Sequence, residues 1–389
     1  MKKIGILTHY HNTTNYGGML QAYALCKRIN TFGLYGEQIA IDYIEATKNL
    51  DYTLRYLKIK KLLKPIKPIY RALRNFKNRR EIKRDAILKK SWEDSFASFN
   101  NDWVPHSNRS YTEKNISEAV GIYDAFIVGS DQVWNPIWYF EPFFLSFVPK
   151  GTPKISYAAS ISQNQLSDKV KKIYATHLKD FKAISVRESS AVELLSNIAP
   201  TKVECVLDPT LLLTKEEWDE VAAERTISQS YAICYFLGNN ANMRKVVTDF
   251  AKKKNITLVN IMHATGIYHD SDEEFADVRL NAPTPNEFLA LIKYADFVFT
   301  DSFHASVFSL IFQKQFFVFE RLEFQSMGSR ISTLTEMFQV EERFCNTAQK
   351  SSVEYIASVS PIDYSRPFYE FEAMRDISMS FLKKIWSKA

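Results

Sequence analysis

Apolar and polar positions along this chain alternate between two periods. Short apolar runs bounded by turn residues recur along its length, and longer stretches of helical period lie between them. Lys3–Thr8, Glu37–Tyr43, Ala125–Val128, Ile155–Ala159, Ala183–Val186 and Val203–Leu207 read as one series of strands. Leu20–Phe32 and Leu166–Phe181 read as helices among them. A second series follows, with strands Tyr231–Leu237, Thr257–Ile261, Asp296–Thr300 and Phe316–Phe319. Its helices are Met243–Lys254, Pro285–Tyr294, Phe303–Phe312 and Ile331–Phe338. Strand–helix alternation of this kind builds α/β layers. The prediction is an α/β chain of two Rossmann-like domains facing a cleft. Residues 1–213 form the N-terminal domain, with a basic helical insertion at about 48–95. Residues 214–229 are a linker with one helical turn, and 230–366 form the C-terminal domain. Residues 367–389 are a last helix expected to cross back onto the first half. At 389 residues the chain has room for two such domains.

The polar residues that gather at strand ends carry the candidate chemistry. In Thr300-Asp301-Ser302-Phe303-His304 a buried strand gives way to an apolar helix, with Asp301 and Ser302 as capping residues. His304 then falls in the first helical turn, at the carboxyl end of a strand, where open α/β sheets bind ligands. The helix N-terminus favours an anion, and an imidazole there can exchange a proton near neutral pH. The alternative is a histidine that only packs. After the first strand, Asn15-Tyr16-Gly17-Gly18 opens a helix that includes Gln21. Paired glycines there let backbone approach a phosphate or hydroxyl, or serve a turn that needs positive φ. Asp131, in Gly129-Ser130-Asp131, is a general base, a group that orients a hydroxyl, or a helix cap. Trp134 and Trp138 are platforms for a sugar face or core residues. Arg187 is placed to grip a carboxylate or phosphate, or to pair with Glu188 or Asp208. Arg330 and Arg321 are further candidate anion clamps.

Charge changes the picture at one place. The net charge is +6, yet the 36 residues from Arg55 to Lys90 hold 15 Lys/Arg against Glu81 and Asp85. That segment carries +13 and leaves −7 for the rest. Interleaved with leucine and isoleucine, and interrupted by Pro65 and Pro68, it reads as a surface for anionic lipid or ligand, or as a solvated insertion. An acidic remainder argues against nucleic-acid binding. No run of 18 apolar residues is present, and the N-terminus lacks a secretory apolar region. Cys26, Cys205, Cys234 and Cys345 are widely spaced, which suits reduced thiols in the cytoplasm. No metal-ligand spacing or P-loop is visible, so a mechanism without metal or cofactor is the simplest expectation.

Six segments together resemble the polysaccharide pyruvyl transferase family. They are Asn15-Tyr16-Gly17-Gly18-Met19-Leu20-Gln21-Ala22-Tyr23-Ala24-Leu25, Gly129-Ser130-Asp131-Gln132-Val133-Trp134-Asn135, Tyr157-Ala158-Ala159-Ser160, Val186-Arg187-Glu188, Leu207-Asp208-Pro209-Thr210 and Thr300-Asp301-Ser302-Phe303-His304. The resemblance implies a fold similar to GT-B glycosyltransferases. It also implies transfer of pyruvate from phosphoenolpyruvate, as co-substrate, to a sugar as a ketal. Such ketals decorate capsules, exopolysaccharides and cell-wall polymers. His304 is then the candidate acid, and Asp131 the group that positions or deprotonates the acceptor. Arg187, Ser302, Arg330 and Arg321 are the candidate donor contacts. Asn15, Tyr16, Gly17, Gly18, Gln21 and Trp134 are the candidate acceptor loop. The implied partners are phosphoenolpyruvate and a glycan or lipid-linked oligosaccharide. The enzyme would work in the cytoplasm at the inner membrane face, with the basic segment on anionic lipid. The chain departs from the family where Ser302-Phe303-His304 replaces a common Arg-Leu-His and Ala305 replaces a common glycine. Arg330 or Arg321 would compensate for the lost arginine. Two other readings share the architecture. One is a GT-B glycosyltransferase using a nucleotide sugar, with Glu320 and Glu323 as ribose contacts or, alternatively, surface charges. The other is a non-catalytic carbohydrate-binding protein.

Overall fold

The computed structural model describes residues 1–44, 46–50, 79–321 and 328–387. Two six-stranded sheets, each wholly parallel, form the two halves. The first contains β1 (Lys3–Leu7), β2 (Tyr35–Gln38), β3 (Ala125–Val128), β4 (Lys154–Ala159), β5 (Ala183–Val186) and β6 (Val203–Cys205), in the order β2-β1-β3-β4-β5-β6. The second contains β7 (Tyr231–Tyr235), β8 (Thr257–Met262), β9 (Val278–Asn281), β10 (Phe297–Thr300), β11 (Gln315–Phe319) and β12 (Phe344–Cys345), in the order β12-β11-β10-β7-β8-β9. Both sheets are doubly wound α/β, and the architecture is GT-B-like. The apolar runs are strands because helices cover both faces of each sheet, leaving no face for polar alternation.

Among the helices, α1 is Tyr16–Asn30, α2 Arg79–Trp103, α3 Asp168–Leu178, α4 Ser189–Ser196 and α5 Lys215–Asp219. In the second half α6 is Ala241–Lys254, α7 Pro285–Lys293, α8 Phe303–Ile311, α9 Gly328–Met337 and α10 Val353–Ser358; α11 is Tyr369–Ser387.

Three local differences from the sequence reading have physical causes. Helix α1 begins at Tyr16 instead of Leu20, because the Asn15 side chain accepts from the backbone N–H of Gly17 (2.9 Å) and Gly18 (3.5 Å). Both glycines thus lie inside the first turn. The second strand ends at Gln38; from there on the chain makes single bridges, Gln38 to His106 and Ile41 to Tyr111. The short strands β9 and β12 lie at the edges of their sheet, and their polar or very short sequences gave no apolar run to read.

Of the basic insertion, residues 51–78, with Pro65 and Pro68, lie outside the described residues. Its described end, α2, is anchored at the junction of the halves. Trp92, Phe96 and Phe99 are buried, and the Ser95 hydroxyl donates to the Ala282 carbonyl at 2.6 Å. Tyr16 stacks on Phe288 of the second half at 4.0 Å and donates its hydroxyl to the Pro283 carbonyl. One apolar core therefore runs continuously through both halves. Helix α11 lies against the first half: the Ser378 hydroxyl accepts from the Leu207 N–H at 2.9 Å, and Phe381 sits against Tyr157. Among the described residues, no helix is long and apolar enough to cross a membrane.

Candidate active site

The carboxyl ends of β1, β3, β5 and β6 converge on one buried carboxylate, Asp208. Its Oδ1 accepts from the N–H and hydroxyl of Thr210 (3.1 and 2.7 Å). Its Oδ2 accepts from Ser130 Oγ (3.1 Å) and Arg187 Nη1 (2.8 Å). Arg187 Nη2 lies 3.6 Å from Asp131 Oδ1, and its Nε lies 4.0 Å from Glu188 Oε2. Glu188 is held in turn: its Oε1 accepts from Ser160 Oγ and the N–H groups of Ile161 and Ser162. Asp131 sits at φ 64°, a left-handed conformation that aspartate tolerates better than most residues and that turns the chain sharply after β3. Gln21 ties this turn to α1, donating to Thr8 Oγ1 and the Gly18 carbonyl and accepting from the Ser130 N–H.

The second half contributes His304. Ser302 caps α8 by accepting from the Ala305 N–H, and Asp301 accepts from the N–H groups of Leu237 and Gly238. This fixes the helix start, so His304 reaches across to the first half. Its Nε2 stands 3.5 Å from Asp208 Oδ2, and its ring lies so close over Gly17 that a methyl group there would overlap it. Phe303 forms the adjoining wall, with the Arg187 guanidinium 4.7 Å from its ring centre.

Electrostatics follow from burial and pairing. Burial alone would raise the Asp208 carboxyl, but His304 and Arg187 outweigh it and hold it well below the usual carboxylate range. Asp131 is likewise lowered, with burial opposed chiefly by Arg187 and His304. Burial works against the Arg187 charge, yet Asp208, Asp131 and Glu188 raise its pKa. Arg330 falls to about 10, from burial and then from its like-charged neighbour Arg187. His9, at the end of β1, falls to about 4 because it is buried, with Asp131 opposing. The site thus offers ionised carboxylates, two cations, and an imidazole delivered from the opposite half.

A sequence model of the polysaccharide pyruvyl transferase family matches residues 15–322. The chain belongs to that family. A search of curated proteins finds no match. Among solved structures it is similar to a UDP-GlcNAc 2-epimerase from Methanocaldococcus jannaschii, with a TM-score of 0.55 and 9% identity over 96% of this chain and 99% of that one. The same organism's epimerase in complex with UDP-GlcNAc and UDP gives 0.51 and 10%, covering 96% and 99%. At such identities the likeness is one of fold.

Within this pyruvyl transferase family member, the predicted residues separate into groups. His304, Asp131 and Arg187 come together, and Arg330 faces the same cavity as Arg187. Arg321 lies elsewhere, lining a second cavity with Asp301 and Asn239. Ser302 spends its hydroxyl on the helix cap. In the expected acceptor loop, Asn15 caps α1, Tyr16 joins the halves and Gln21 is saturated by its own turn. What approaches Gly17 is the His304 ring, and what approaches Gly18 is the His9 carbonyl. Neither glycine has positive φ. Trp134 is a core residue: its Nε1 donates to the Phe143 carbonyl and its ring stacks on Phe144. Trp138 is half exposed. Glu320 is partly buried beside Gly328, and Glu323 lies outside the described residues. Sequence reasoning gave no role to His9 and treated Asp208 only as a possible partner of Arg187. The Asp208-Pro209-Thr210 turn at a strand end was the available signal. Among the described residues, no cluster of three or more His, Cys, Asp or Glu could hold a metal.

Proposed function

We propose that this chain transfers pyruvate from phosphoenolpyruvate onto two hydroxyls of a sugar, forming a ketal on a surface polysaccharide or its lipid-linked precursor. The observation that carries the reading is His304, held by one half against Asp208 and beside Arg187 and Asp131 of the other. Phosphoenolpyruvate has two anionic groups, and Arg187 is a cation already oriented by carboxylates. His304 delivers a proton to the methylene carbon of the donor, and a sugar hydroxyl attacks the adjacent carbon. Asp131 orients that hydroxyl, whose proton passes back to the now neutral His304. The C–O bond to phosphate breaks, and the second hydroxyl closes the ketal with loss of its proton to the departing phosphate. The products are a carboxyethylidene sugar and inorganic phosphate. Asp208 does not touch the reacting atoms in this scheme; it positions His304 and Arg187. The basic segment from Arg55 to Lys90 provides the contact with an anionic membrane surface or with the diphosphate of a lipid-linked acceptor.

Release of inorganic phosphate from phosphoenolpyruvate, measured with a panel of glycan acceptors, tests the reading. Acceptor-dependent release that vanishes in His304→Asn supports it. Turnover of a nucleotide sugar, with phosphoenolpyruvate inert, would overturn it and point to a glycosyltransferase.

A further inference from the structure

Arg330, near the start of α9, is a buried cation with hydrogen-bond donors in reserve. It is 4% exposed, and among the described residues its Nε and Nη2 have no hydrogen-bond partner. Those two nitrogens form one edge of the guanidinium, the edge that grips two oxygens of a single oxyanion side by side. The cavity it lines has a volume of about 280 Å³ and is walled by Arg187, Asp208, Phe303, Leu334 and Met374. Phe303 lies against both arginines, with its ring centre 4.7 Å from the Arg187 guanidinium carbon and 5.8 Å from that of Arg330. Arg187 is already bound to Asp208. The acids nearby attract Arg330 without hydrogen-bonding it: Glu188 and Asp131 favour its charge, Glu188 accepts its three hydrogen bonds from other residues at Oε1, and Glu336 and Glu370 are exposed at the rim. Two guanidinium groups that share a cavity, each with donors not engaged in hydrogen bonds among the described residues, can grip one anion between them.

We propose that the Nε–Nη2 edge of Arg330 is an oxyanion subsite that holds one charged end of the donor, phosphate or carboxylate, while Arg187 faces the other. The identity of the donor rests on the phosphoenolpyruvate reading; the anion subsite does not.

The test is calorimetry and thermal unfolding of the full chain with inorganic phosphate, pyruvate and phosphoenolpyruvate, on wild type, Arg330→Gln and Arg330→Lys. Wild type is expected to bind at least one of the small anions and to bind phosphoenolpyruvate more tightly. Arg330→Gln is expected to weaken both by tenfold or more, and Arg330→Lys by less. Phosphate or pyruvate as the bound small anion identifies which end of the donor Arg330 holds. In anion-free buffer Arg330→Gln should melt no lower than wild type, because a charge opposed by burial and by Arg187 has been removed; a structural arginine would lower the melting temperature. Anion binding equal in wild type and Arg330→Gln overturns the subsite, as does a wild type that binds neither small anion. Phosphoenolpyruvate binding lost in Arg187→Gln but intact in Arg330→Gln overturns the subsite and leaves the pyruvyl reading standing. A small anion bound through Arg330, with phosphoenolpyruvate no better than that anion, supports the subsite and removes the donor reading.

Discussion

Arg187 and Arg244 are made from the same materials and used differently. Each is buried, each faces a carboxylate, and each lies against a phenyl ring. Arg244, in α6, is saturated: Nε and Nη2 both donate to Asp272 Oδ1 (2.9 and 2.7 Å), and Nη1 donates to the Gly238 and Asn240 carbonyls. Asp272 is closed in turn by Asn260 and the His263 N–H. Arg187 has one short bond, to Asp208, and longer approaches to Asp131 and Glu188. Among the described residues its Nε and Nη2 make no hydrogen bond. A closed network holds the fold together, whereas a cation with donors in reserve is arranged for something still to arrive.

The sharpest way to break this contrast is to substitute the site residues and Arg244 in turn. His304→Asn should lower turnover by roughly 10²–10⁴-fold, the range for losing a general acid, with little change in unfolding free energy. Arg187→Gln should abolish stabilisation by phosphoenolpyruvate in a thermal-shift assay. Arg244→Gln should cost about 3–5 kcal/mol in chemical denaturation, because it strands a buried carboxylate, yet keep the ligand-induced shift. A lost shift in Arg244→Gln, or a retained one in Arg187→Gln, would erase the distinction between the two arginines.

Gly17 sharpens the comparison at the contact between halves. Gly17→Ala places a methyl group where the His304 ring lies. Displacing that ring by about an ångström should lower turnover roughly 10²-fold. In a double-mutant cycle the alanine should have little further effect once His304 is already Ala, because the clash has gone. Equal effects in both backgrounds would show that Gly17 serves something other than the histidine.

The smallest expected effect concerns pH. His9 falls from an ordinary 6.5 to about 4 in the folded protein. Between those values the unfolded chain takes up a proton that the folded chain refuses, so stability is fully present above pH 6.5 and falls as pH drops toward 4. Asp131 and Asp208, lowered from 3.8, add their own loss only below that range. Melting temperatures of wild type and His9→Gln between pH 7.5 and 4.5 check this: the variant should show a flatter decline. Identical slopes would mean that His9 is not held neutral.

Much of this architecture was legible before any coordinate. Val128, Val186 and Thr300 end apolar runs that only a strand buried on both faces needs, and polar residues after such runs land where parallel sheets bind ligands. Asp131, Arg187 and His304 could be picked on that ground alone. Trp134 could not be placed, because an indole stacks on a sugar or fills a core with equal ease, and the Phe143 carbonyl that takes its N–H comes within 3.0 Å only once the chain is folded. Gly17 and Gly18 could be picked as places of close approach, but that the His304 ring and the His9 carbonyl lie against them emerges only in the folded chain.

Periodicity, strand-end chemistry and the ordered family segments were determined by the sequence itself, since each depends on residues near one another along the chain. The tertiary structure alone decided that Asp208 is shared by Arg187 and His304, and that Gly17 must be small. It alone decided that Arg330, and not Arg321, faces the Arg187 cavity. Those outcomes require segments far apart in sequence to meet across two sheets. Distances of a few ångströms between them are set by how the two halves pack, which no local pattern records.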